Sequence, residues 1–500
     1  MTFDDWWNGL DPYIAEDDSG TIWIAYHKYT TEDDFGIYVR RYVNGQALPE
    51  ELVIPSPKRT SAPALLPDAA GNMWLIYASN REEWETYIAT KNARYYWSMK
   101  FDLWAVRWDG TQWWPEERIT TAVNANRSHQ EPRAAMGTDG KLWVAFRETG
   151  FELYSGGNQM NNRPYQDMNV SALYYDPVTQ LWSSPQIVTN DPGSQAFWGG
   201  PDIAVESAGN VWVVYGTEVG ETQWDIEAKY YDGAVWSPPM AVTTGGSHDY
   251  RPAVTVDSFN RVWAVWERDV GGQNDLYYSF YQSPGGPWTM PLALTTDPGE
   301  DRKPAVAADS AGKVWVVWES DRTGNTDIFA SRWDGVGWSD PLQLTGSPAA
   351  DEEAQVFIGS GGDVWVTWQS DRNGHGNMDI YVKAMMPAIL RVAPPTNVTA
   401  ALSGVSSQDV TITWEASLSE DGEWGPVWDY QVWFGQTFSS SSSGYDLLAT
   451  LPRGTTDFIH AGAGQGDPNT YFYAVRALTP NDIGVLRGGY DHDRNMRVSL

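Results

Sequence analysis

The chain has 500 residues, with 33 Lys and Arg against 65 Asp and Glu and a formal net charge of −32 at pH 7. That balance repels phosphate backbones and anionic bilayer surfaces, so nucleic acid is not an expected partner. Cysteine is absent, which removes disulfide frameworks, thiolate metal sites and a cysteine nucleophile together.

No apolar run approaches the ~20 residues that cross a bilayer, so membrane insertion is not expected. The opening MTFDDWWNGL has neither the basic region nor the apolar stretch of a secretory leader. A secreted chain already freed of its leader and an intact cytoplasmic chain both fit it. Among the residues are 29 Trp, 26 Tyr and 47 Gly, a mixture suited to many short strands joined by tight turns.

From about residue 11 one phrase recurs along the chain: GTIW, GNMW, GKLW, GNVW, NRVW, GKVW and GDVW. Its tryptophans are Trp23, Trp74, Trp143, Trp212, Trp263, Trp315 and Trp365, spaced by 51, 69, 69, 51, 52 and 50 residues. A period near 50 with four strand-like segments per unit predicts propeller blades. The unit at 304–345 reads PAVAADSAGKVWVVWES, then DIFASRWDG, then WSDPLQLT. It predicts two inner strands joined at Gly312, a third strand, and a short outer one. The run VWVVW does not alternate with polar residues, as expected of a strand covered on both faces. The repeated tryptophans are read as packing between blades. The seventh unit ends DIYVKAMMPAILRV without the usual WS-x-P segment, and 388–392 is expected to serve as its outer strand. Trp6 and Trp7 are the alternative donors.

The runs SDRTGNTDIF at Ser320 and SDRNGHGNMDIY at Ser370 resemble TolB-type propeller repeats. The D-x-x-G-x-x-W turns followed by WS-x-P resemble sialidase-like repeat proteins of secreted origin. The likeness implies a fold superfamily. It does not imply sialidase activity, because the acid stands three residues before the glycine, as in Asp68, Glu206 and Asp309, and no arginine triad can be placed. From Pro394 the segments PPTNVTAAL, DVTITWEAS, DYQVWFG and TYFYAVRAL resemble a fibronectin type III domain, with Trp414 as its core tryptophan and Tyr471 at the tyrosine corner. The expected fold is therefore all-β: a seven-bladed β-propeller over 1–392 and an immunoglobulin-like, fibronectin type III β-sandwich over 393–500. Such sandwiches occur as spacers in secreted multidomain proteins. This resemblance implies an extracellular or cell-surface location, and a chain that belongs to a larger multidomain protein.

Loops between blades gather on one face, which is where a site is sought. Blades 2 and 3 carry extra residues between their second and third strands, at about 80–100 and 148–168. These hold Trp84, Tyr87, Tyr95, Tyr96 and Trp97, then Tyr154, Arg163 and Tyr165, with Trp198 nearby. Flat rings beside amide and guanidinium donors suit a sugar chain, although insertions that only pack on each other are an equally simple account. His129 and His248 sit in the same set of loops with Arg127, Tyr250 and Arg251. Several uronic-acid polysaccharide lyases are seven-bladed propellers using His, Tyr and Arg. By that resemblance His129 or His248 would be the base, Tyr250 the acid, and Arg127 or Arg251 the carboxylate clamp. Plain ion pairs around the pore are the competing reading. No cofactor is required; Asp321 with Asp327, and Asp371 with Asp379, could hold calcium or could simply cap turns. Three functions follow: a recognition protein binding a glycan or an extracellular protein, a polysaccharide lyase or glycosidase, and a structural subunit of an extracellular assembly.

Overall fold

The computed structural model describes residues 11–31, 34–43, 46–55, 60–81, 101–121, 127–150, 168–190, 200–219, 223–282, 285–372 and 378–385 of one compact unit, Met1–Met385. In a second unit, Met386–Leu500, it describes 396–403, 409–415, 429–435, 446–452, 457–460, 471–478 and 496–498. Every strand pairing in both units is antiparallel.

The first unit is a seven-bladed β-propeller. Seven antiparallel sheets follow one another along the chain, each running in order from first to last strand. In blade 6 these are Asp301–Ala308, Val314–Ser320, Asp327–Trp333 and Leu342–Gln343. The first strands contact one another in a closed cycle that returns from blade 7 to blade 1, so they surround the axis. Blade 7 has three strands among the described residues: Asp351–Ile358, Val364–Ser370 and Asp379–Met385. The segment 388–392, expected as its fourth strand, lies outside the described residues.

The second strands are buried on both faces, which explains their unbroken apolar runs: in Val314–Ser320, only Trp315 is not fully enclosed. Seven apolar clusters each join two adjacent blades, and together they account for all seven joints. One contact recurs across five of them. The second-strand tryptophan of one blade meets nearly edge-on the tryptophan of the next that pairs with its third strand just beyond the turn, in Trp23–Trp113, Trp74–Trp182, Trp143–Trp236, Trp212–Trp288 and Trp263–Trp338. Their centroids are 5.6–6.4 Å apart and their planes cross at 84–90°. At the 7–1 joint Trp365 meets only Tyr42, tilted at 54°.

In three blades an aspartate before the turn fixes this geometry. Asp68 accepts the amides of Ala70 and Asn72 through Oδ1 and the Trp74 indole N–H through Oδ2 at 2.8 Å. Asp17 and Asp257 hold Trp23 and Trp263 in the same way. Gly71, at φ +82°, turns the chain where a side chain would be strained. The shifted acid is therefore a turn cap that orients the core tryptophan, and its position needs no reference to a ligand.

In the second unit, strands Thr396–Ser403, Asp409–Glu415 and Asp457–His460 form one sheet in that order. Asp446–Pro452, Asp429–Gly435, Tyr471–Leu478 and Met496–Val498 form another.

Replacing Trp263, which is fully buried, with Ala should destabilise the propeller by about 3–5 kcal/mol. Trp315 is only partly buried and meets no such tryptophan of the next blade among the described residues. Trp315→Ala should therefore cost at least about 1 kcal/mol less. Urea unfolding of the two variants against the parent measures the difference.

Candidate functional site

The first strands position the axial side chains through a repeated irregularity. In five blades the first strand slips register near its start, between Ser61 and Ala64, Gln130 and Arg133, Tyr250 and Ala253, Arg302 and Ala305, and Glu352 and Gln355. In most blades a proline stands there, as in Glu131-Pro132, Arg251-Pro252 and Lys303-Pro304, and proline cannot donate to the ladder. The residue at the bulge takes positive φ: Asp11 at 32°, Glu131 at 55°, Arg251 at 46°, Lys303 at 49° and Glu353 at 52°. A β-bulge re-aims its side chain, and here it brings charged groups from successive blades together.

These groups are tied to the blade before them. Glu267, at the end of a second strand, accepts the backbone N–H of Lys303 at 2.6 Å and the Arg251 guanidinium at 3.2 and 3.3 Å. Glu319 accepts the Glu353 amide at 2.6 Å and lies 3.2 Å from Lys303 Nζ, which is itself 2.5 Å from Glu353. Arg147 pairs with Glu131 at 2.8 Å.

Acids outnumber bases in this ring, and burial adds to the imbalance. Desolvation, together with the charges of Glu353 and Glu131, pushes the Asp11 carboxyl up to about 7 against the pull of Arg133 and Lys303. The channel nonetheless leaves its side chain 41% exposed. Desolvation also raises Glu319 to about 7, with Lys303 opposing and Glu353 and Glu352 adding to the rise. Burial lowers His27 to about 4, so it stands neutral beside Asp11 at 3.8 Å.

The expected site residues are distributed unevenly. His129 is buried: its Nδ1 lies 3.0 Å from Thr120 Oγ1 and 3.4 Å from Asp102 Oδ1, and its ring meets Phe146 edge-on at 5.3 Å. It holds the place, two residues before the bulge, that Asp249, Asp301 and Asp351 hold in later blades. There Asp249 and Asp301 accept the indole N–H groups of Trp266 and Trp318, and all three acids accept an arginine. Arg127 pairs with Glu148 at 3.0 Å.

Blade 5 does bring its candidates together. His248 and Tyr250 stack at 5.8 Å with planes 8° apart, and Arg251 follows directly. Tyr250 lies opposite Glu267 in the strand register. Burial, with the charges of Asp269, Asp249 and Glu267, raises the Tyr250 phenol above its ordinary value.

Trp84, Tyr87, Tyr95, Tyr96, Trp97, Tyr154, Arg163, Tyr165 and Trp198 lie outside the described residues. The two insertions do leave from the connections between second and third strands of blades 2 and 3. Asp327 is occupied by Thr323, Gln343 and Thr345, and Asp321 accepts the Glu300 amide. Asp371 and Asp379 join no cation cage: among the described residues, no three His, Cys, Asp or Glu side chains converge as a metal site would require.

The bulge ring is the feature that sequence reading missed. Its signal was present as charged residues before proline at one phase of the repeat, and as an acid or arginine after the second aromatic of the second strand, in Arg147, Glu267 and Glu319.

No protein-family model and no curated protein matches the chain. Solved structures do match it in fold. A structure whose title names a polysaccharide lyase, an ulvan lyase bound to -[GlcA(1-4)Rha3S]-, is 10% identical, with 76% of this chain and 94% of that one covered and a TM-score of 0.52. A Hadza microbial sialidase is 14% identical over 70% and 73% of the two chains, at a TM-score of 0.43. An alpha-L-arabinanase of Penicillium chrysogenum is 12% identical over 76% and 94%, at 0.41. At such identities the likeness is one of fold.

Asp11 and Glu319 hold protons more tightly in the folded ring than their ordinary values of 3.8 and 4.5 allow in an unfolded chain. Folding therefore takes up protons between about pH 4 and pH 7, and stability falls as pH rises through that window. The urea midpoint should be higher at pH 5 than at pH 8. Combining Asp11→Asn with Glu319→Gln should flatten that dependence.

Proposed function

We propose that the loop face of this propeller is a carbohydrate-recognition surface, and that the ligand is a neutral or weakly charged glycan. The observation that carries the reading is the state of the candidate cations. Arg127, Arg147, Arg251 and Arg302 each already face a carboxylate, at 3.0, 2.8, 3.2 and 2.9 Å. A uronate entering here would have to displace a resident carboxylate from its arginine, on a chain of net charge −32. Matched pairs suit hydroxyl groups instead, because carboxylates accept and guanidinium groups donate without a net charge to neutralise. The stacked rings of His248 and Tyr250 supply a flat apolar surface for the CH face of a sugar.

The polysaccharide-lyase alternative draws on the fold shared with the ulvan lyase structure. It requires an open arginine and a base within reach of the acid. Of its two candidate bases, His129 is buried against Thr120, two blades away from Tyr250, and lends that reading no support, whereas His248 stacks on Tyr250 and is the observation that favours it.

The second unit is read as a fibronectin type III spacer. Its three-stranded sheet runs first–second–fifth and its four-stranded sheet fourth–third–sixth–seventh in sequence order, the arrangement expected for that fold, and Tyr471 opens the sixth strand. This pairing of modules supports a secreted or surface-displayed protein.

On an array of neutral and acidic polysaccharides the chain should retain neutral glycans. Raising salt from about 0.05 to about 0.5 M should leave retention unchanged. Tyr250→Ala should weaken binding roughly tenfold. Salt-sensitive retention of acidic polymers alone, or absorbance from unsaturated products, would overturn the reading in favour of the lyase.

A further inference from the structure

Just beyond the turn that ends the third strand, blades 3 to 6 follow one rule. The tryptophan of the joint is succeeded by Ser183, Ser237, Thr289 or Ser339, whose hydroxyl accepts the amide of Tyr174, Tyr230, Phe280 or Arg332 at 3.0–3.1 Å. Blade 2 breaks the rule, because Trp113 is succeeded by Trp114. An indole carries a donor and no acceptor, so it cannot cap a strand amide as a hydroxyl does. In place of the cap stands a large ring at the surface, 48% exposed.

That ring is held in one pose. Its Nε1 donates to Asp109 Oδ2 at 2.9 Å, while Oδ1 of the same carboxylate accepts the amides of Thr111 and Gln112 and the Thr111 hydroxyl. The Arg107 guanidinium lies 3.9 Å from the ring centroid and 5.4 Å from that of Trp74, so the packing of the joint between blades 2 and 3 continues outward through one arginine to Trp114. Among the described residues Arg107 alone stacks on Trp114, and it covers one face. A repeat followed in four blades and broken in one, in favour of an immobilised aromatic facing solvent, marks a contact surface.

The neighbours of the ring select the partner. Thr111, Gln112, Pro115, Glu116 and Glu117 are all exposed, and only the proline among them is apolar. Glu117 accepts the Trp182 indole at 2.6 Å through one oxygen and turns the rest of its carboxylate to solvent. A protein hot spot sits within an apolar patch, whereas acceptors flanking a single flat ring suit hydroxyl donors, and their charge disfavours an acidic ligand. Third strands run away from the loop face, so this ring stands at the opposite end of the blades from His248 and Tyr250.

We propose that Trp114 is the stacking platform of a carbohydrate site separate from the loop face, and that it takes a neutral glycan. The free face of the indole receives the CH face of one sugar ring, and the acids beside it accept hydroxyl groups. The site stands whether or not the loop face binds sugar. Where both do, one chain engages a polysaccharide at two points and gains avidity from their linkage.

The full chain is labelled with 5-fluorotryptophan, and the Trp114 resonance is identified as the one missing from Trp114→Ser. That variant installs the residue that Ser183, Ser237 and Ser339 supply in their blades, so its urea midpoint should equal or exceed the parent's. Neutral hexasaccharides of glucose, mannose, xylose and galactose are titrated into the parent and into Tyr250→Ala. At least one should shift the Trp114 resonance equally in both chains, and adding Trp114→Ser to Tyr250→Ala should weaken its binding roughly tenfold. No shift with any of the four overturns the proposal. A shift with oligogalacturonate alone, or with a proline-rich peptide alone, overturns it too. Failure of the loop-face reading shows differently, as equal binding by the parent and Tyr250→Ala, and leaves the Trp114 shift in place.

Discussion

The edge-on meeting of two tryptophans across a blade joint is the contact on which the rest of this propeller depends. Neither sheet of a joint supplies it alone, because one ring comes from a second strand and the other from the segment that follows the third strand of the next blade. The aspartate in the preceding turn fixes the first ring by accepting its indole N–H. Turn chemistry, strand burial and blade-to-blade packing are therefore one device, repeated around the axis. Each repetition aligns the next first strand and so determines where the axial side chains stand.

At the axis the same repetition yields a different chemistry. In five blades the residue at the start of the first strand takes a positive φ, and in all five that side chain is charged. Glu267 and Glu319 bind the bulge amides of the following blade, so these carboxylates are part of the frame as much as of the surface. A ring built this way presents donors and acceptors in matched sets. Its cations are already paired with carboxylates, and it has many fixed polar groups to offer a hydroxyl-rich ligand.

The fold was legible because its determinants are local. The seven tryptophans, the turns before them and the WS-x-P segments each act within one unit or between neighbours, so their spacing alone counts the blades. The site was less legible, since its residues become neighbours only when the ring closes. His129 drew notice as a rare histidine in a loop. Laying the repeats on one another would have placed it in the column of Asp249, Asp301 and Asp351, where the side chain serves the sheet and not the surface. The charged residues before proline were visible too, but their convergence required the register slip, which no single repeat reveals.

Among the described residues, the joint between blades 7 and 1 has no perpendicular tryptophan pair; Glu16 reaches across it to Ser360. Five joints carry that pair, while this one packs Ile22, Ile24 and Tyr26 of blade 1 with Trp365, Ile380 and Val382 of blade 7. Strain applied around the annulus would therefore fall unevenly, because its joints are closed by different contacts.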